Sequence, residues 1–154
     1  MPTHHRGTRE ETRALDAYIT LMRAADSVTA RTNRPMAEHD LTVSQFGALE
    51  ALLHLGPLQP TELARKLLKT GGNITMVVGN LERRRLVTRR RSPDDKRRFV
   101  VALTAKGEAL IRKVFPLVLE RIAAELSALG AAEQEELHRL CKKLGLGAGN
   151  VLQC

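Results

Sequence analysis

The sequence predicts a mainly α fold carrying one small β-hairpin, and three observations predict it. Apolar residues recur at spacings of three and four through most of the chain, the period of a helix that buries one face. One stretch, residues 86–103, breaks that period, with short apolar and basic runs on either side of the turn sequence Ser92-Pro93-Asp94-Asp95. Aromatic residues are only 3% of the chain, with no Trp, against 43% apolar residues, so the core has to be aliphatic. A chain of 154 residues suits one domain, or a compact subunit with an extended oligomerisation arm.

Residues 1–9 read as a disordered tail, in which His4 and His5 lack the company a metal site needs. Over residues 10–34, Leu15, Tyr18, Ile19, Met22, Ala25 and Val28 mark a helix, ended by Pro35. The next helix opens on a capping box, in which Thr42 accepts the Gln45 amide and the Gln45 side chain reaches back. Phe46, Leu49, Leu52 and Leu53 give its buried stripe, and Gly56-Pro57 stops it. "PTELARKLL" is a short helix with Pro60 at its first position and Glu62 in the first turn, although Gln59 is a weak N-cap. "TGGNITMVVGNLERRR" then sets Ile74, Val77, Val78 and Leu81 on one face, and the pair suggests a helix-turn-helix.

"LVTRRR" and "RRFVVAL" are the strands of the hairpin, with Phe99, Val101 and Leu103 expected on one face and Phe99 and Val101 as its anchors to the core. From the N-cap Thr104 a long helix runs to about Leu129, kinked at Pro116. Its apolar positions, Leu110 to Leu129, cover more than one stripe, so a second subunit is expected to cover the rest. A last helix, to about residue 145, carries Leu137, Leu140, Cys141 and Leu144 on one side, and residues 146–154 read as a flexible tail.

The net charge of +8 is unevenly placed. Between residues 82 and 98, nine Lys/Arg less three acids leave +6, a field that attracts polyanions, nucleic acid before acidic lipid. Membrane-surface binding is disfavoured because the cations sit on a hairpin, not on an amphipathic helix with large apolar groups. With no apolar run near the roughly twenty residues that span a bilayer, and no apolar leader, a cytoplasmic protein is expected. Cys141 and Cys154 make neither a disulfide framework nor a metal spacing. An enzyme is not expected: no nucleophile–base set or paired carboxylates stand out, and Gly71-Gly72 follows a helix, where a phosphate loop needs a strand. No cofactor is implied.

The outer face of the second helix of the pair offers Gly72, Asn73, Thr75, Met76, Asn80, Arg83 and Arg84. Asn can pair both edges of adenine, Thr can offer a hydroxyl or a methyl group, and Arg83 can reach guanine or phosphate. A helix-turn-helix followed by a basic β-wing is a DNA-docking geometry. Residues 40–145 resemble the MarR-type winged helix-turn-helix regulators, on "LTVSQFGALEALL", "PTELARKL", "GGNITMVVGNLERRRLVTRRRSPDDKRRFVVALTAKG" and the long helix that follows. The resemblance implies a homodimer held by a helical dimerisation domain, residues 10–34 and 105–145, around a DNA-binding domain at 40–104. It also implies a recognition helix in the major groove and a wing in the minor groove of double-stranded DNA.

In that family the arginine of Asp-x-Arg enters the minor groove and the aspartate orients it; here these are Asp95 and Arg97. A narrow A·T-rich minor groove draws in a guanidinium without base-specific bonds. Arg89, Arg91, Lys96 and Arg98 are expected on phosphates, which position without specifying. The sequence departs from the family at Arg85, where a glycine commonly closes the recognition helix. A left-handed Arg85 would cost about 1 kcal/mol relative to glycine.

Such regulators usually release DNA when a small aromatic or phenolic anion binds between the two parts, or when a cysteine is oxidised. Tyr18, Met22 and His54 could line that cleft, although the pattern favours plain core positions for them. Cys141, on an apolar stripe, is expected to be buried and inert. A non-specific architectural DNA-binding protein and a cysteine-oxidation-responsive regulator remain the alternatives to a ligand-responsive repressor.

Overall fold

A computed structural model of the chain describes residues 5–67 and 71–148, with side chains to residue 145. Seven helices and one hairpin follow in the order α1 (Arg9–Thr32), α2 (Arg34–Ala37), α3 (Val43–Leu55), α4 (Pro60–Lys66), α5 (Gly71–Arg83), β1 (Val87–Arg91), β2 (Phe99–Leu103), α6 (Ala105–Leu126) and α7 (Ala131–Ala148). The chain is mainly α with a small antiparallel sheet, as its periodicity predicts. His4, Cys154 and the last residues of the expected C-terminal tail lie outside the described residues.

Local signals set the helix ends. Thr8 caps α1 through a capping box with Glu11, so the helix starts at Arg9, inside the expected tail. Pro35 does not end α1; it sits in the first turn of α2, where its missing amide costs nothing. The Thr42 box closes as expected, Gln45 N to Thr42 Oγ1 at 3.2 Å and Thr42 N to Gln45 Oε1 at 3.1 Å. Gln59 is rescued as a helix start because Glu62 Oε2 accepts its amide at 2.8 Å. α6 continues through Pro116, and α7 runs past Gly145 to Ala148, three residues beyond the expected boundary.

One aliphatic core holds α3, α4, α5, the hairpin and the first half of α6 together. Leu49, Leu63, Ile74, Leu81, Leu86, Val101, Ile111 and Val114 are almost wholly buried. Removing each of these larger side chains from water contributes about 1.5–3 kcal/mol. The hairpin pairs Val87 with Leu103 and Arg91 with Phe99, and Leu58 bonds to the free edge of β2 at Val101 (3.1 and 2.8 Å). β2 is therefore the middle strand, and Val100, Val101 and Ala102 are all buried. Phe99 lies beyond the Leu58 pairing and is 48% exposed, so it does not anchor the hairpin as its alternation suggests. Its ring instead lies under the Arg91 guanidinium, 5.2 Å from the centroid.

α1 lies against α2 and α6, and Arg31 Nε reaches Glu125 Oε2 across α1 and α6 at 2.6 Å. Tyr18 (61%) and Met22 (40%) are exposed on α1, which corrects the expectation that they are core. Leu117, Leu119 and Ile122 on α6 and Leu137, Leu140 and Leu144 on α7 are exposed as well. Cys141 shares the α7 stripe and is likewise exposed, not buried. The physical reason is common to all of them: periodicity marks a face as apolar, but among the described residues nothing covers it. α7 leans on local bonds instead, with Glu133 accepting the Gly130 amide and Arg139 paired to Glu136. That guanidinium holds the Glu136 carboxyl below its ordinary range.

Candidate nucleic-acid interface

α5 turns Ile74, Val77, Val78 and Leu81 into the core and leaves Gly72, Asn73, Thr75, Met76 and Arg83 exposed. A Cβ added at Gly72 or Gly79 would meet nothing within 4 Å, so neither glycine is demanded by packing inside the chain. Each costs the helix about 1 kcal/mol relative to alanine. The Thr75 hydroxyl bonds the Gly71 carbonyl at 3.0 Å, which leaves its methyl group to the outside. Asn80 is half-buried and its carbonyl oxygen accepts from Arg83, so these two residues of the expected reading face act as a pair.

Arg84 departs from the expected outer face. Its guanidinium turns inward and donates to the carbonyls of Asp40 (2.5 Å) and His39 (3.3 Å), at the end of α2. Arg85 is left-handed, with φ 57°, as its place in the family pattern implies. The Leu86 amide returns to the Leu81 carbonyl at 2.9 Å and the Arg85 amide to Glu82 at 2.8 Å, the paired bonds of a Schellman cap. The carbonyls that this cap leaves over are taken by the start of α6. Lys106 Nζ donates to Arg84 O at 3.0 Å, Thr104 Oγ1 to Arg85 O at 2.6 Å, and Thr104 N to Leu86 O at 3.1 Å. Thr104 Oγ1 also accepts the Gly107 amide at 3.0 Å, which caps α6. Thr104 caps α6 as its sequence predicts, and with Lys106 it also clamps the end of α5, a second role that local pattern does not reveal.

On the hairpin, the cations divide by partner. Arg89 Nε pairs with Glu82 Oε1 at 3.2 Å, tying β1 to the last turn of α5. Arg91 donates to the Lys96 carbonyl while covering Phe99. Asp95 does not pair with the Arg97 guanidinium: its Oδ2 lies 3.4 Å from Arg98 Nε, and its Oδ1 accepts the Arg97 main-chain amide at 2.9 Å. The aspartate therefore fixes the backbone from which Arg97 projects, not its side chain. The turn closes through Ser92 N to Arg98 O (2.8 Å) and Arg98 N to Asp95 O (2.9 Å). Among the described residues, the side chains of Lys96 and Arg97 have neither hydrogen-bond nor ion-pair partner.

A cavity of about 460 Å³ opens between the start of α4 and the outer half of the hairpin, lined by Gln59, Pro60, Thr61, Arg89, Arg98 and Phe99. His54 lies elsewhere, its ring packed edge-on to Phe115 with the centroids 5.0 Å apart and its Nδ1 bonded to the Glu50 carbonyl at 3.0 Å. Tyr18, Met22 and His54 line no common cleft among the described cavities. Among the described residues no His, Cys, Asp and Glu side chains cluster as a metal site would need, and no helix is long and apolar enough to cross a membrane.

A short helix, a second helix with a polar outer face, and a cation-tipped hairpin clamped behind it define a winged helix-turn-helix of the DNA-binding class. Comparison with known proteins narrows the class. A model described as MarR family matches residues 39–98. The HTH-type transcriptional regulator YkoM of Bacillus subtilis is 35% identical over 143 residues, 93% of each chain. MhqR of the same organism, also an HTH-type transcriptional regulator, is 33% identical over 136 residues, 88% of this chain and 94% of that protein. The solved structure of NadR in complex with 4-hydroxyphenylacetate superposes with a TM-score of 0.70 at 26% identity, covering 94% of this chain and 97% of that one. The chain belongs to the MarR family of transcriptional regulators, which bind DNA and are not enzymes.

Proposed function

We propose that the protein is a cytoplasmic, ligand-responsive repressor that binds a near-palindromic operator as a homodimer. In this reading α5 enters the major groove with Asn73, Thr75, Met76 and Asn80 toward the bases and Arg83 on a flanking phosphate. Gly72 and Gly79 keep its outermost line low. The wing tip enters the minor groove with Arg97, and Arg89, Arg91, Lys96 and Arg98 follow phosphates. The observation that carries it is Arg97, whose amide is pinned by Asp95 at 2.9 Å while its guanidinium has no partner among the described residues. An anchored stem with an uncommitted cationic end suits insertion into a negative groove. The uncovered apolar faces of α1, α6 and α7, residues 10–34 and 105–145, are the dimerisation domain.

The effector class follows from NadR, which was solved with 4-hydroxyphenylacetate. A small aromatic or phenolic anion is proposed here too; the cavity beside Arg89, Arg98 and Phe99 has the guanidinium groups and the ring to suit one. Cysteine oxidation is the weaker alternative, because in the proposed dimer Cys141 shares the covered stripe of α7.

The test is selection of bound duplexes from a random pool by the purified protein. A near-palindrome with half-sites about one helical turn apart is expected, and binding without sequence preference would make the protein an architectural one. On the selected duplex, Arg97→Ala should weaken binding strongly and leave the dimer folded. Unchanged binding at physiological salt would overturn the wing assignment. A dimer neutralising roughly six to ten phosphates loses about 10³–10⁵ in affinity from 50 to 200 mM salt.

A further inference from the structure

Arg84 stands on the most basic stretch of the chain, directly after the recognition helix, yet its guanidinium is spent inside the protein. It donates to two successive carbonyls, His39 and Asp40, where α2 ends. Asp40 is the other left-handed non-glycine residue among the described residues, with φ 55°, and it closes α2 with the same cap as Arg85 closes α5. Its amide bonds Ala37 O at 3.0 Å and the Leu41 amide bonds Met36 O at 2.9 Å. Such a cap leaves the carbonyls of the turn pointing outward with partial negative charge, and a planar guanidinium can serve two of them at once. The main chain of Arg84 is held from a second side, by Lys106 at the start of α6. Residue 84 is thus gripped by α2 through its side chain and by α6 through its carbonyl.

We propose that Arg84 is a positioning residue: its bonds to His39 and Asp40 set the angle of the recognition helix against the α2 and α6 frame. This rests on the DNA-binding homodimer reading above. In a dimer, that angle on each protomer decides the separation and relative rotation of the two recognition helices. Arg84 therefore acts on the half-site spacing the protein accepts, and makes no phosphate contact of its own. The ammonium of a lysine could reach one of the two carbonyls but could not fix the plane between them.

The experiment uses the full-length protein and the duplex selected by the wild type, together with duplexes lengthened or shortened by one base pair between half-sites. Wild type, Arg84→Lys, Arg84→Gln and the comparator Arg83→Gln are titrated at several salt concentrations, and thermal melts confirm folding. Losing a charge-assisted bond of this kind should weaken binding to the selected duplex roughly tenfold in both Arg84 variants. The slope of log affinity against log salt should stay at the wild-type value, while Arg83→Gln lowers it by about 0.9 per protomer. The penalty for altered spacing should shrink in the Arg84 variants and stay intact in Arg83→Gln.

A salt slope that falls in Arg84→Gln as it does in Arg83→Gln would make Arg84 a phosphate contact and overturn the proposal. A preserved spacing penalty would overturn it equally. If Arg84→Gln does not fold, Arg84→Lys, which keeps the charge and one donor, decides the matter through the spacing penalty, since its salt slope stays at the wild-type value under either reading. Failure of the DNA-binding reading itself is seen earlier, in a wild type that selects no repeat.

Discussion

Replacing Arg85 with glycine should make the protein more stable while loosening its hold on DNA. Arg85 sits at φ 57°, where a side chain costs about 1–2 kcal/mol through Cβ contact with the following carbonyl. Nothing else in the folded state depends on that side chain, which is exposed and has no partner among the described residues. The cap bonds at 2.8 and 2.9 Å use main-chain amides, and the 2.6 Å bond from Thr104 uses the Arg85 carbonyl, so glycine keeps all three. Against the relieved strain stands the larger freedom of glycine in the unfolded chain, roughly 0.5–1 kcal/mol. The net gain is about 0.5–1 kcal/mol, or some 1–4 °C in melting temperature for a chain of this size. Calorimetry at one fixed protein concentration reads it, because a dimer's melting point moves with concentration. A lower melting temperature would refute the reasoning, since it would show that the arginine makes a contact worth more than its strain. Strain that persists for function should show on the other side of the ledger: the salt slope of DNA binding should fall by about 0.9 per protomer.

Gly107→Ala places a Cβ 1.9 Å from the Leu86 carbonyl oxygen and 2.8 Å from its carbon, so the backbone has to move. Urea titration should record a loss of about 1–3 kcal/mol or more, as for overpacking against atoms that cannot turn aside. Thr42→Ala removes the hydroxyl half of the α3 capping box, leaving the residue 42 amide on Gln45 Oε1, and should cost about 1 kcal/mol, measured the same way. Leu140→Glu puts a charge in the uncovered stripe of α7; sedimentation should show the proposed dimer dissociating at concentrations where the wild type does not.

What was legible in the sequence was what neighbouring residues decide among themselves. Thr42 with Gln45, Pro60 with Glu62 and the stop at Gly56 are settled within a turn, and each helix forms where its signals place it. The left-handed Arg85 was suggested only by the resemblance, through the glycine common at that place; the residues themselves left open how α5 ends. The orientation of Arg84 was not legible, since its acceptors lie 44 and 45 residues earlier in the chain. Phe99 was misplaced for a related reason: alternation assigns faces, but burial of β2 depends on Leu58 closing its far edge, which stops at Val101. Tyr18, Met22 and Cys141 show the limit of periodicity, which identifies an apolar face without naming its cover.

The crowding of cations at the hairpin becomes intelligible once those with a carboxylate partner are set apart from those without. Glu82 sits 3.2 Å from Arg89 and Asp95 sits 3.4 Å from Arg98, so carboxylates moderate the repulsion midway along β1 and within the turn. Such exposed pairs contribute about 0–1 kcal/mol each, little enough that a phosphate can replace the carboxylate as partner. Among the described residues Lys96 and Arg97 have no such screen, and they stand at the tip. With screening over about 8–10 Å at ordinary salt, the unpaired tip charges dominate the field felt just beyond the hairpin. The paired cations behind them count chiefly once contact is made. Exchanging Asp95 for asparagine should therefore separate two effects that a simple charge count merges. The amide side-chain oxygen can still pin the Arg97 backbone, so minor-groove insertion survives, while Arg98 is released to strengthen the phosphate grip. Tighter but still Arg97-dependent binding is the expected outcome, and weaker binding would mean that the aspartate's charge, not its hydrogen bond, is what the wing requires.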